Sequence, residues 1–136
     1  MRVEAVVTSS AAGHEVTVRT DIVQQALSIP AKSSGKGSSV NGGELLMLAL
    51  ATCYWNDLYR EAQRLGIEIT SASVEASAEF LGVGLAATNI KYRAKVVSSA
   101  TPSAVEQLLR ETDAVAEIHN TLRGGGQVES SFTKDQ

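Results

Sequence analysis

The chain has 136 residues, the length of one ordinary domain, and its 43% hydrophobic and 20% charged composition is that of a globular protein with a core large enough to need no staples. Aromatic residues are only 4% and the net charge is −3 with no Lys/Arg cluster, which argues against a base-stacking platform and against the basic footprint of a nucleic-acid binder. No apolar run approaches the ~20 residues of a membrane helix, the start MRVEAVVTSS has no targeting core, and one cysteine cannot close an internal disulfide, so the expected setting is the cytoplasm, away from membranes.

In chain order, residues 2–8 and 14–20 alternate apolar and polar side chains, the period of half-buried strands, with a small-residue turn between them. A third short strand is expected over about 24–29, ending at Pro30. Residues 31–43, AKSSGKGSSVNGG, are Gly/Ser-rich and nearly free of apolar residues, either a flexible connector or a functional loop.

The strongest helix prediction covers 43–65. Asn41 and Glu44 have capping-box spacing, and Gly66 supplies the stop. Residues 45–51, LLMLALA, are apolar on every face, which predicts that the helix starts surrounded by protein. Its second half is amphipathic and is expected to emerge into solvent. Residues 67–81 and 86–98 read as a long antiparallel pair turning at Gly82 and Gly84. Thr101 then caps a helix that has Pro102 at its first position and Val105, Leu108, Leu109 and Val115 at helical spacing. A turn at 124–126 and a last strand at 127–132 close the chain. The order gives an α+β fold in a single domain, 1–136, with mostly antiparallel sheet.

Few residues offer chemistry. His14 and His119 stand far apart, outside any ligand-spaced cluster, so no metal site is expected. No cofactor motif is present: the glycines at 124–126 precede no helix and make a poor phosphate loop. Trp55 points away from Cys53 around the helix and reads as core or interface packing. A lone cysteine on a buried helix is ordinarily core filler. A reactive thiol needs a cation, a metal or a helix N-terminus beside it. Cys53 lies about nine residues into its helix, beyond the reach of the dipole, and Asp57 at i+4 would oppose a thiolate.

The stretch NGGELLMLALATCYWNDLYREAQRLGIEI resembles the central helix of the OsmC/Ohr family, with Glu44-Leu45-Leu46, Ala49-Leu50-Ala51 and Cys53 in step and Gly66-Ile67 at its end. The segment IHNTL, 118–122, resembles that family's Cys-Pro-Val-Ser-Asn-x-Leu region. The resemblance implies antiparallel sheets wrapped around a long buried helix, in an intertwined homodimer with sites at the subunit interface. It also implies reduction of organic hydroperoxides by two cysteines: the helical one attacks the peroxide and becomes a sulfenic acid, and the second resolves it to a disulfide.

Residue by residue, Cys53 takes the attacking position and Glu44 fits the Glu of the wider OsmC-like pattern. The resolving position falls at Ala116. The Ohr-type Glu falls at Gly43, the Arg falls near Ala12, and Gly42 replaces the usual Pro. Arg19 could reach the site from a strand, although it does not align there. His119, beside the resolving region, is a candidate base, but a capping or surface role is the more ordinary one. The leading expectation is an OsmC-like stress-response protein that has lost the two-cysteine cycle. One alternative is a one-cysteine hydroperoxide reductase served by an external thiol. Another is a module binding a small hydrophobic ligand.

Overall fold

The computed structural model describes residues 1–11 and 13–134; the expected arginine position near Ala12 falls outside them. The chain divides into two compact units, Met1–Leu45 and Leu46–Gln136.

The first unit is an antiparallel meander of β1 (Val3–Ser10), β2 (Gly13–Thr20) and β3 (Val23–Leu27), in that order across the sheet. Thr20 pairs with Val23, so Asp21 and Ile22 make a two-residue turn. Asp21 takes φ +50, a conformation that short acidic and amide side chains tolerate, and its carboxylate and backbone N–H bracket Arg2 with bonds of 2.8 and 2.9 Å. Val16 is buried, while Val3, Val6, Val7 and Val23 are exposed, so much of the sheet's apolar surface is uncovered among the described residues. The Gly/Ser segment is a closed loop: Lys32 N–H donates to the Gly37 carbonyl and Ser39 N–H to the Pro30 carbonyl, both at 2.9 Å.

The second unit is built on α1 (Gly42–Leu65), with β4 (Ser71–Glu79), β5 (Thr88–Val97), α2 (Pro102–Val115) and α3 (Glu117–Gly124). The end of α1 is a Schellman turn: Gly66 takes φ +68, Ile67 N–H reaches the Ala62 carbonyl at 2.8 Å and Gly66 N–H the Gln63 carbonyl at 3.2 Å. Residues 67–70, expected in the next strand, lie outside β4, although Ile67 and Ile69 pack onto the core. β4 and β5 pair antiparallel, with Val74 opposite Ala94 and Ala76 opposite Tyr92. Ala72, Val74, Tyr92, Ala94 and Val96 share one face, as the two-residue period requires, and press on a buried cluster of Tyr54, Leu58, Ala62, Leu108 and Ala116. The Thr101 hydroxyl accepts from Ala104 N–H at 3.2 Å to cap α2.

Three expectations need correction. The buried positions of α1 are Leu50, Tyr54, Asp57, Leu58, Glu61 and Ala62, mostly in its second half, whereas Leu48 in the apolar half is 59% exposed. Burial within one chain therefore runs opposite to the sequence reading, because β4, β5 and α2 cover the amphipathic half. A third helix, α3, occupies 117–124, where no helix was expected: it is eight residues long and its N-cap, Ala116, makes no side-chain cap bond. Residues 127–132, read as a last strand, form none and leave Val128 and Phe132 exposed. Among the described residues, no helix is long and apolar enough to cross a membrane.

Candidate functional site around Cys53

Cys53 sits on α1 half-buried against the core cluster. One turn on, Asp57 projects from the same side of the helix, as i,i+4 residues do. The start of α3 brings a second carboxylate: the Sγ lies 3.8 Å from Asp57 Oδ2 and 3.6 Å from Glu117 Oε2, so the single S–H has an acceptor on either side. Burial pushes the Cys53 thiol up; the Ile118 backbone N–H works the other way, and Asp57 and Glu117 add to the rise. Burial also raises Asp57, against the pull of Arg60. Glu117, held mainly by its own backbone N–H, lies below the usual carboxylate range and carries the charge at neutral pH. The Arg60 guanidinium is engaged by Asp57 at 2.8 Å and Glu61 at 3.7 Å. The surroundings of the sulfur thus favour the thiol over the thiolate.

One ligand atom from each of Cys53, Asp57 and Glu117 lies within 4.8 Å of the others, a three-point grouping in which a divalent ion would find one soft and two hard ligands. Sequence spacing suggested Asp57 but not Glu117. Its one signal was its place next to Ala116.

His119 is not at the surface, nor does it cap a helix. It is 3% exposed, because Ile118, His119 and Leu122 turn one side of α3 inward. Its ring meets Tyr92 edge-on with centroids 4.5 Å apart and lies 5.6 Å from the Tyr54 ring. Neither ring nitrogen has a hydrogen-bond partner among the described residues. Burial lowers its pKa, with Asp113 opposing and Arg123 assisting, so the imidazole is neutral at pH 7. Asp113 takes both Arg123 nitrogens at 2.9 Å and the Tyr92 hydroxyl. Tyr54 donates to the Leu109 carbonyl at 2.8 Å, and burial raises its pKa to about 12.

The other sequence candidates are engaged locally. Glu44 forms one half of a capping box, its N–H donating to Asn41 Oδ1 at 2.8 Å, while its carboxylate accepts from the Asn41 side-chain amide at 2.7 Å in place of the Asn41 backbone N–H. Arg19 is ion-paired with Glu4 across β1 and β2. Trp55 is 44% exposed, with its ring edge-on to Tyr59 at 5.0 Å.

The sequence matches the family model for OsmC-like proteins over residues 35–131. The chain belongs to the OsmC-like family. No curated protein matches this OsmC-like chain. Its structure is similar to that of an OsmC like protein from Mycoplasma pneumoniae, at 17% identity and TM-score 0.68, covering 91% of this chain and 89% of that one. It is also similar to an organic hydroperoxide resistance protein OsmC from Legionella pneumophila, at 16% identity and TM-score 0.60 over 95% and 94% of the two chains. A third similar structure is an organic hydroperoxide resistance protein from Elizabethkingia anophelis, at 16% identity and TM-score 0.61 over 93% and 91%. At these identities the likeness establishes the OsmC-like fold, α+β with antiparallel sheets. The site's chemistry rests on its own residues.

Proposed function

We propose that this OsmC-like protein does not run the two-cysteine hydroperoxide cycle and keeps Cys53 as a protonated thiol. That cycle needs a thiolate to attack the peroxide oxygen, forming an S–O bond as the O–O bond breaks and an alcohol leaves. A second thiol must then displace water from the sulfenic sulfur to form a disulfide. The chain has no second cysteine, and the position expected for it is the buried Ala116. The observation that carries the proposal is the pair of carboxylates on the Cys53 sulfur, at 3.8 and 3.6 Å, which opposes the first step as well. One equivalent of cumene hydroperoxide followed by a sulfenic-acid trap and intact-mass measurement tests this. Cys53 should stay unmodified over minutes at pH 7, and rapid stoichiometric trapping would contradict it.

The rival reading, a one-cysteine reductase regenerated by an external thiol, draws on the partial exposure of Cys53 and on the two similar structures described as organic hydroperoxide resistance proteins. It predicts rapid trapping in the same experiment.

The working form is a homodimer. Trp55 lies about two turns after Leu48 on α1 and Tyr59 about one turn further, and the three are 59%, 44% and 40% exposed. They form apolar surface of the kind that a second copy covers.

A further inference from the structure

We propose that the cavity between β5 and α3, which His119 lines, binds a small organic monocarboxylate with an apolar body the size of a single ring. The cavity has a volume of about 170 Å³. A dry apolar cavity of roughly 150 Å³ accepts benzene, which sets the size of the ligand body. Its apolar lining comes from Leu50, Ile90, Tyr92 and Leu122.

Into this wall is set one polar side chain that finds no hydrogen-bond partner among the described residues. His119 is 3% exposed and both its ring nitrogens are unpartnered. Buried polar atoms are nearly always paired, so such a group is an anomaly unless something else supplies the bond. The neighbouring hydroxyls are already committed, Tyr92 to Asp113 and Tyr54 to the Leu109 carbonyl.

The charge around the cavity selects the ligand's head group. Its lining includes Lys91 and Arg123 and no Asp or Glu. Arg123 is balanced by Asp113, whereas Lys91 forms no ion pair among the described residues. A carboxylate accepting from a ring N–H of His119, with Lys91 near its second oxygen, would meet both deficits. Charge-assisted bonds of this kind are the stronger class. Cys53 is not part of the lining, so the proposal stands apart from the state of the thiol.

The test is calorimetric titration of the protein with benzoate at pH 7, beside toluene as the apolar control. Benzoate should bind saturably at one per chain, and toluene about tenfold more weakly. Affinity should fall about tenfold in His119→Phe and about two- to fivefold in the surface variant Lys91→Gln. Failure of benzoate to bind, equal binding of toluene, or unchanged affinity in a folded His119→Phe would overturn the proposal. If His119→Phe does not fold, spectra of the wild-type protein labelled at histidine nitrogens decide. Benzoate must shift the His119 ring resonances, and unmoved resonances at saturation would refute it.

Discussion

The Cys53 sulfur and the Glu117 carboxylate lie 3.6 Å apart, although 64 residues separate them in sequence. The charged carboxylate stabilises the protonated thiol by accepting from it. The Cys53 pKa is raised by burial first, and Asp57 and Glu117 push in the same direction. Glu117→Gln, and more strongly the double variant with Asp57→Asn, should therefore speed alkylation by iodoacetamide at pH 7. The rate should rise by about three- to fourfold for each unit that the thiol pKa falls, the gain in thiolate fraction being partly offset by lower nucleophilicity. Because the folded thiol titrates above its unfolded value, its contribution to stability is intact below the unfolded pKa. It is lost as pH rises through the folded one. Alkylation rates measured across pH check the first statement, and urea unfolding across the same range checks the second.

His119 sets the response to mild acid. Its neutral form is favoured by burial, with Asp113 opposing and Arg123, Tyr92 and Tyr54 also facing the ring. A histidine with a lowered folded pKa contributes stability above its unfolded value near 6.5 and loses it as pH falls toward the folded value. Urea unfolding should show stability declining below pH 6.5 with a slope approaching about 1.4 kcal/mol per pH unit. This lies above the region where carboxylates titrate. His119→Phe should flatten the decline.

Leu58 is fully buried in the cluster with Tyr54, Ala62, Leu108 and Ala116. Leu58→Ala should cost about 2–5 kcal/mol by lost transfer energy and the cavity left behind, read as a fall in the urea midpoint with an unchanged m-value.

The exposed Leu48, Trp55 and Tyr59 side chains predict assembly. The wild-type protein should sediment as a dimer, and Leu48→Lys should shift it toward monomer by placing an unpaired charge in the buried contact. A wild-type monomer at micromolar concentration would contradict the dimer.

Much of the fold was legible because local signals agreed with tertiary packing. Asn41 and Glu44, Thr101 and Pro102, and Gly66 mark helix ends by their own hydrogen bonds and backbone angles, and the structure uses each in that way. The alternation of Val74 and Ala76 against Ala94 and Tyr92 gave the long strand pair. What was missed depends on contacts distant in sequence. α3 lacks a side-chain N-cap and is too short for periodicity to declare it. Glu117 and His119 gained their environments only when α3 folded back toward α1 and β5, so neither the carboxylate on the sulfur nor the burial of the imidazole had a local sign. The apolar start of α1 predicted burial that the described residues do not supply, with Leu48 59% exposed, because hydrophobicity carries no information on which element packs where.

The most direct test of the account is steady-state consumption of cumene hydroperoxide, with dithiothreitol and with dihydrolipoamide as reductants, comparing the wild-type protein with Cys53→Ser. The account predicts that both proteins give the same rate as reductant alone. Rapid wild-type turnover that vanishes in Cys53→Ser would contradict it and establish a one-cysteine hydroperoxide reductase.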